Sequence, residues 1–397
     1  MGTPHLQIRP GNPDFLDLPW ADAIGEWVSD RLVDMPAGVH RHPVVFVAYD
    51  EGVYAIKELP RRPAAAEFAV LRSLEERTGL AATPVGLVSR DWVDRGAEQG
   101  GAVITRYVEH SFPYRHLVSG PGFGRRRGQL LDAIAGLLVD LHLAGCFWGD
   151  CSLSNVLYRY DAGAIEAIMI DAETSELHSE LSDGQRLQDL AIMRENLAGE
   201  MADVAAEHGI ELDDADLGLG EGVIERYDAL WGELNEDLVI SANERYRIRK
   251  RIARLNELGF SVDDVDLAPV GEDDRVRMRV RVGGRTFHSQ RLRELTGIEA
   301  SENQSRHILS DLNYYIAKSG THSSTGKTVA VMSWITTCFD PLIAQISQVW
   351  KGDPIQGFCD LLQFRLSVAS ERGSDVPNDE AFRLWADAGF PGFPVGR

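Results

Sequence analysis

Asp150 and Asn155 stand at the junction of three kinds of sequence, and that junction limits the fold more than any other part of the chain. Upstream, Leu130, Leu131, Ile134, Leu137, Leu138 and Leu141 recur at helical spacing. The loop itself reads Trp148-Gly149-Asp150-Cys151-Ser152-Leu153-Ser154-Asn155, and the apolar run Val156-Leu157-Tyr158 follows directly. A polar turn, Tyr160-Asp161-Ala162-Gly163, then leads to Ala167-Ile168-Met169-Ile170, which ends on Asp171. The spacing leaves room for two short strands and a turn between the loop and this last carboxylate.

The elements upstream are mostly β. VVFVAYD (44–50) and GVYAIKEL (52–59) flank an Asp50-Glu51-Gly52 turn, a hairpin signal. A helix is expected from Ala64 to Arg77, with Pro63 ahead of it and Gly79 past its end. PVGLVSRDWV and GAVITRYVE add two strands around a polar loop at 94–101. Residues 19–32 predict an amphipathic helix carrying Trp20, Ile24, Trp27, Val28 and Leu32 on one face. The fold class is therefore α+β, a small sheet followed by a larger helical lobe.

Residues 201–237 are helical in pattern and acidic, and a boundary is expected near 235–240. The expected organisation is an N-terminal extension (1–32), a main domain (33–235) and a smaller α+β C-terminal domain (240–397). The last opens with a basic helix from Glu244 to Leu258. A strand pair, RVRMRVRV and RTFH, is then expected around a Gly283-Gly284 turn.

The 397 residues are 44% hydrophobic, enough for two ordinary cores. A net charge of −21 disfavours nucleic acid as a general partner. Arg275, Arg277, Arg279 and Arg281 alternate along one strand, either as the solvated face of a half-buried sheet or as a phosphate-binding surface. No basic region followed by an apolar run marks the N-terminus. The most apolar stretch, Val329 to Phe339, is too short to span a bilayer, so no membrane span is expected. Cys146, Cys151, Cys338 and Cys359 have neither disulfide density nor metal-ligand spacing, which predicts reduced thiols in a cytoplasmic protein.

Four pieces carry chemistry. Lys57 lies in the second strand of the hairpin, and an inward lysine is costly unless a carboxylate or phosphate receives it. On an edge strand, the same residue is an ordinary solvated guard. Glu67, in the first turn of the next helix, is placed to hold that lysine, with Glu75 in reserve. An aspartate followed at this spacing by an asparagine, between a helix and a short strand, matches the kinase catalytic loop: Asp150 orients or accepts a hydroxyl proton, and the Asn155 oxygen coordinates magnesium. Asp171, delivered at a strand end, is a second oxygen ligand for Mg2+.

Together these residues resemble the protein-kinase-like superfamily. The bacterial lipopolysaccharide-kinase-like branch (the Kdo and heptose kinases) is the nearest look, and aminoglycoside-phosphotransferase-like enzymes are more distant. The resemblance spans residues 33–235 and implies a bilobal kinase-like fold followed by a domain of unknown function. It implies that Lys57 contacts the α- and β-phosphates of ATP and that Glu67 pairs with it. Asp150 becomes the catalytic base, with Asn155 and Asp171 as magnesium ligands. Tyr107 and Val108, in the hinge run Arg106 to Glu109, offer backbone hydrogen bonds to adenine. Asp189 matches the buried aspartate that anchors the catalytic loop, although a solvated helix residue is an equally fair reading.

The sequence also departs from the pattern. Trp148-Gly149 replaces the usual His-Arg, Asp171-Ala172-Glu173 replaces Asp-Phe-Gly, and no Ala-Pro-Glu segment follows. The loop Pro36 to Pro43 offers one phosphate-binding glycine, Gly38, with His40, Arg41 and His42 as phosphate contacts or plain loop polars. Ser324-Thr325-Gly326-Lys327-Thr328 imitates the end of a Walker A loop, but its earlier glycine is misplaced and the segment before it is helical in pattern.

These losses argue against a regulated peptide kinase. They favour an ATP- and magnesium-dependent phosphotransferase acting on a hydroxyl of a small-molecule, glycan or lipid-linked acceptor. The alternative is a nucleotide-binding pseudokinase scaffold whose C-terminal domain binds a protein or nucleic-acid partner.

Overall fold

A computed structural model describes residues 3–35, 41–94, 96–118, 123–209, 211, 214–241, 244, 246–270, 275–320 and 323–394. They fall into two compact units: Met1–Arg159 with Ala167–Trp231, and Tyr160–Glu166 with Gly232–Arg397.

The first unit opens with β1 (His5–Ile8), β2 (Leu32–Val33), β3 (Val44–Tyr49), β4 (Gly52–Leu59), α1 (Arg61–Arg77), β5 (Pro84–Ser89) and β6 (Gly101–Arg106). The six strands form one antiparallel sheet in the order β1-β5-β6-β4-β3-β2. The turn between β3 and β4 needs Gly52, whose φ of 138° lies in a region that side chains rarely adopt. Residues 19–32 are not the expected helix. Pro19 and Gly25 interrupt it, and only Ile24–Glu26 forms a short 3-10 turn. The two tryptophans instead pack edge to face, their indole N–H groups donating to Phe15 O and Asp22 O. Phe15, Trp20, Ile24 and Trp27 seal a sheet face with Tyr54, Ile56, Val88 and Ile104.

The helical part of this unit comprises β7 (Phe112–Pro113), α2 (Arg127–Leu143), β8 (Cys146–Phe147), β9 (Val156–Asp161), β10 (Ala164–Met169), β11 (Glu176–Leu177), α3 (Asp183–His208), α4 (Asp214–Leu217) and α5 (Leu219–Asn235). Helix α2 is buried nearly all round, as its run of leucines demands. Helix α3 begins with a reciprocal capping box between Ser182 and Gln185.

The second unit contains β12 (Leu238–Ser241), α6 (Tyr246–Glu257), β13 (Val262–Pro269), β14 (Arg275–Val282), α7 (Phe287–Thr296), α8 (Glu302–Lys318), α9 (Ser324–Trp334), α10 (Asp340–Val349), α11 (Pro354–Arg372) and α12 (Asn378–Asp387). Strand β14 lies between β12 and β13, so the hairpin expected around Gly283-Gly284 does not form. Cross-strand charge explains the choice: Asp264 and Asp266 stand opposite Arg281 and Arg279. The RTFH segment turns into α7 instead, whose first turn is capped by Glu302 accepting from His288 N and Ser289 N.

The core of this unit gathers Leu312, Trp334, Phe339, Ile346, Phe358 and Trp385. Burial of Leu312 and Phe358 contributes roughly 1.5–3 kcal/mol each. Helices α9 and α10 are joined by the π-helical turn Ile335–Phe339. The continuous helix Ser324–Val349 is long and apolar enough, by length and composition, to cross a membrane. It is longer than the Val329 to Phe339 run read from the sequence, and Trp334, Phe339, Leu342 and Ile346 place it among the core helices, which pass the same test. The Walker-like segment is the first turn of α9, with Gly326 N donating to Ser323 Oγ, and it follows a helix rather than a strand.

The tip of the β9–β10 hairpin, Tyr160–Glu166, belongs to this second unit. Asp161 is buried there and accepts from Asn303 N (3.1 Å), Asn303 Nδ2 (2.9 Å) and Gln304 N (2.7 Å), which start α8. Ala162 N donates to Gln356 Oε1.

Candidate active site

Strand β4 alternates, so Lys57 points away from the face covered by Tyr54 and Ile56 and towards α1. On α1, Phe68, Leu71 and Leu74 bury the apolar stripe and carry Glu67 inward with them. Lys57 Nζ lies 3.3 Å from Glu67 Oε2, 2.7 Å from Asp171 Oδ2 and 3.9 Å from Glu173 Oε2. Burial works against the ammonium, but Glu67, Asp171 and Glu173 overcome it and hold Lys57 above its ordinary pKa. Burial pushes the Glu67 carboxyl up to about 7, with Lys57 opposing and Asp171 adding to the rise. The reserve residue Glu75 is engaged elsewhere, with Arg9 at 2.6 Å.

The catalytic-loop residues are held from several sides. Asp189 is the anchor and not a solvated residue. It is fully buried and accepts from Trp148 N (2.7 Å) and Gly149 N (2.9 Å), with His142 Nε2 at 3.1 Å. His142 in turn meets Tyr227 OH at 2.8 Å. Trp148, standing where a histidine is usual, donates from its indole to Asp171 O at 3.0 Å and so ties the loop to the segment that follows β10. Gly149 has a φ of 77°, and a Cβ there would come within 3.1 Å of Thr174 O, which explains a glycine where an arginine is usual.

Asp150 is exposed at the loop's apex. Asn155 Nδ2 donates to Asp150 O (3.0 Å) and reaches Asp150 Oδ2 at 3.3 Å. With its amide nitrogen committed to two acceptors, Asn155 turns its oxygen the other way. Asp171 keeps 27% of its side chain exposed. An amide oxygen and a carboxylate form a hard donor set that suits Mg2+ sharing its shell with phosphates.

A cavity runs from this cluster to the hinge, lined by Val44, Ala55, Val103, Tyr107, Val108 and Leu157 along with Lys57, Glu67 and Asp171. The Tyr107 N–H is already spent on Val53 O at 2.9 Å. Of the two expected hinge residues, that leaves Val108 to offer a backbone donor. Gly38 and His40 lie outside the described residues. His42 is buried, with Nδ1 2.7 Å from Glu98 Oε2 and Nε2 2.9 Å from Glu173 Oε2, so it meets carboxylates rather than facing solvent.

Two residues that sequence reasoning passed over lie on α3. Asn196 Nδ2 donates to Asp150 Oδ1 (2.9 Å) and Cys151 O (3.1 Å). Glu200 accepts from Leu153 N (2.6 Å), Ser154 N (2.8 Å) and Ser154 Oγ. Burial raises the Glu200 pKa, against those hydrogen bonds. Their only sequence signal is a helical spacing shared with Asp189.

A small sheet, a helical lobe and a lysine paired with carboxylates beside a cavity make up a kinase-like fold. Residues 51–214 match the lipopolysaccharide kinase (Kdo/WaaP) family, and residues 229–389 match a domain of unknown function, DUF4032. The chain thus joins a region that matches lipopolysaccharide kinases to one that matches a domain of unknown function. Among solved structures, it is similar to WaaP in complex with acyl carrier protein, at 18% identity and a TM-score of 0.34, over 56% of this chain and 87% of that one. It is also similar to the Rad53 kinase domain with SCD2, at 13% identity and a TM-score of 0.27, over 34% of this chain and 49% of that one. No curated protein sequence matches the chain.

Proposed function

We propose that the first unit transfers the γ-phosphoryl group of ATP to a hydroxyl of a small-molecule, glycan or lipid-linked acceptor in the cytoplasm. The observation that carries this reading is the convergence of Lys57, Glu67 and Asp171 at one end of the cavity, with the pinned Asp150–Asn155 loop held to Asp171 through Trp148.

In this reading Lys57 holds the α- and β-phosphates, and Glu67 keeps the lysine in place. Val108 offers its backbone to the adenine edge. Asn155 and Asp171 hold Mg2+, which neutralises phosphate charge when bound. Asp150 accepts the acceptor's hydroxyl proton as the oxygen attacks phosphorus and ADP leaves. Most of the acceleration comes from positioning and electrostatics.

The test is incubation of the protein with γ-labelled ATP, Mg2+ and a cell extract of small molecules and macromolecules, beside an Asp150→Asn control. Label is expected in a product with the unmodified protein and reduced by roughly 10²–10⁴-fold in the control, the range for loss of a general base. Equal labelling by both proteins overturns the role of Asp150. ATP binding without any transfer replaces the enzyme with a nucleotide-binding scaffold.

A further inference from the structure

Resting on that reading, we propose that Asn196 is the positioning residue for the catalytic base, fixing which oxygen of Asp150 meets the acceptor hydroxyl. Asp189, Met193, Asn196 and Glu200 recur at helical spacing on one face of α3. Met193, with Leu197 and Met201 beside it, is buried and fixes the helix's rotation. The three polar residues then meet the loop in order. Asp189 takes its first two N–H groups, Asn196 its acidic side chain, and Glu200 the N–H groups of Leu153 and Ser154.

The Asn196 amide is oriented by chemistry. Both atoms it meets, Asp150 Oδ1 and Cys151 O, are acceptors, so the nitrogen must face them. Asp150 Oδ1 is thereby occupied at 2.9 Å. Among the described residues, Oδ2 has the longer 3.3 Å approach of Asn155 alone, whose nitrogen is better placed on Asp150 O at 3.0 Å. Oδ2 is therefore the oxygen that takes the proton. Asp150 is otherwise an exposed side chain free to rotate about χ1 and χ2, and a base that must reorient forfeits the benefit of a preset geometry.

The experiment measures Mg-ATP turnover to water, as labelled phosphate release, over a range of pH for wild type, Asp150→Asn, Asn196→Ala and Asn196→Asp. Nucleotide affinity and melting temperature are measured on each. With positioning, Asn196→Ala lowers kcat by roughly tenfold or more while KM for ATP stays within twofold. The near-isosteric Asn196→Asp places a second carboxylate against Asp150. The acid limb of its kcat profile then moves to higher pH by about one unit or more, because like charges at that distance disfavour ionisation. A purely structural Asn196 would alter melting temperature and leave that limb in place.

Wild-type turnover with both variants within twofold and an unmoved pH limb overturns the positioning role and leaves the phosphotransferase reading standing. Wild-type turnover no better than Asp150→Asn, with ATP still bound and no product labelled in the extract assay, removes that reading and the role of Asn196 with it. Should Asn196→Ala fail to fold, the pH limb of Asn196→Asp decides.

Discussion

Each unit is organised around a fully buried aspartate that accepts backbone N–H groups, and the two aspartates do different work. Asp189, in the first unit, holds the start of a loop whose next side chain, Asp150, is exposed. Asp161, in the second, holds the start of α8, where Ser301, Glu302, Asn303, Gln304 and Ser305 are all buried. Their third partners also differ. Asp189 has the His142 imidazole, itself bonded to Tyr227, whereas Asp161 has the Asn303 amide and the carboxylate of Glu166 for a neighbour. A buried carboxylate is thus a general way to satisfy orphan donors. In the first unit the backbone it fixes presents an exposed carboxylate, Asp150, whereas in the second it starts a buried helix turn.

The largest effect that tests this contrast is Asp189→Ala against Asp161→Ala. Removing either leaves buried N–H groups without acceptors, at about 1–3 kcal/mol for each group. Asp189→Ala is expected to lower turnover by roughly a hundredfold or more, because Trp148 and Gly149 lose their anchor beside Asp150. Asp161→Ala is expected to lower the melting temperature while leaving kcat within a few-fold, read by phosphate release and thermal unfolding of the same samples. Equal losses of kcat would break the distinction and bring the β9–β10 hairpin into the catalytic argument, since Asn155 precedes β9 and Asp171 follows β10.

Acid pH sharpens the comparison at intermediate size. Burial, with Glu166 adding, pushes Asp161 up to about 6, and burial does the same for Asp360. In the folded chain both carboxyls keep their protons to higher pH than when unfolded, where they titrate near 3.8. Between about pH 4 and 6 the folded state therefore binds more protons, so stability falls as pH rises through that window and levels off above it. Asp360→Asn should flatten part of this slope in thermal unfolding from pH 4 to 7. An unchanged slope would mean that Asp360 ionises in the folded chain as it does in the unfolded one.

Much of the first unit was legible because its signals are local. Lys57 in an alternating strand, Glu67 on an apolar helix face and Asp150, Asn155 and Asp171 in their order each announce themselves within a few residues. The hinge was half legible, because only the sheet shows that Val53 takes the Tyr107 N–H. Asn196 and Glu200 were hidden for a physical reason: polar residues spaced along a helix read as a solvated face until a loop is seen to pack on them. In the second unit, Gly283-Gly284 suggested a hairpin, but strand choice was decided by the aspartates of a more distant segment. At residues 19–32, apolar spacing favoured a helix, whereas Pro19, Gly25 and two indole hydrogen bonds to backbone favoured turns.

The smallest effect concerns the arginine strand, the feature that most suggested a nucleic-acid surface. Its charge is largely answered from within the second unit. Arg279 Nε lies 3.0 Å from Asp237 Oδ1, Arg277 Nε 4.0 Å from Asp237 Oδ2, and Asp264 and Asp266 face Arg281 and Arg279 across the sheet. A phosphate backbone would have to displace these aspartates from exposed pairs that already neutralise the guanidinium groups. Arg279→Ser is therefore expected to leave the melting temperature and kcat unchanged. Wild type and variant should also bind a labelled single-stranded oligonucleotide equally poorly at low salt. Binding that is tight in wild type, steeply salt-dependent and lost in Arg279→Ser would show instead that the aspartates yield to phosphate, and would give the second unit a ligand that the whole chain's net charge of −21 argues against.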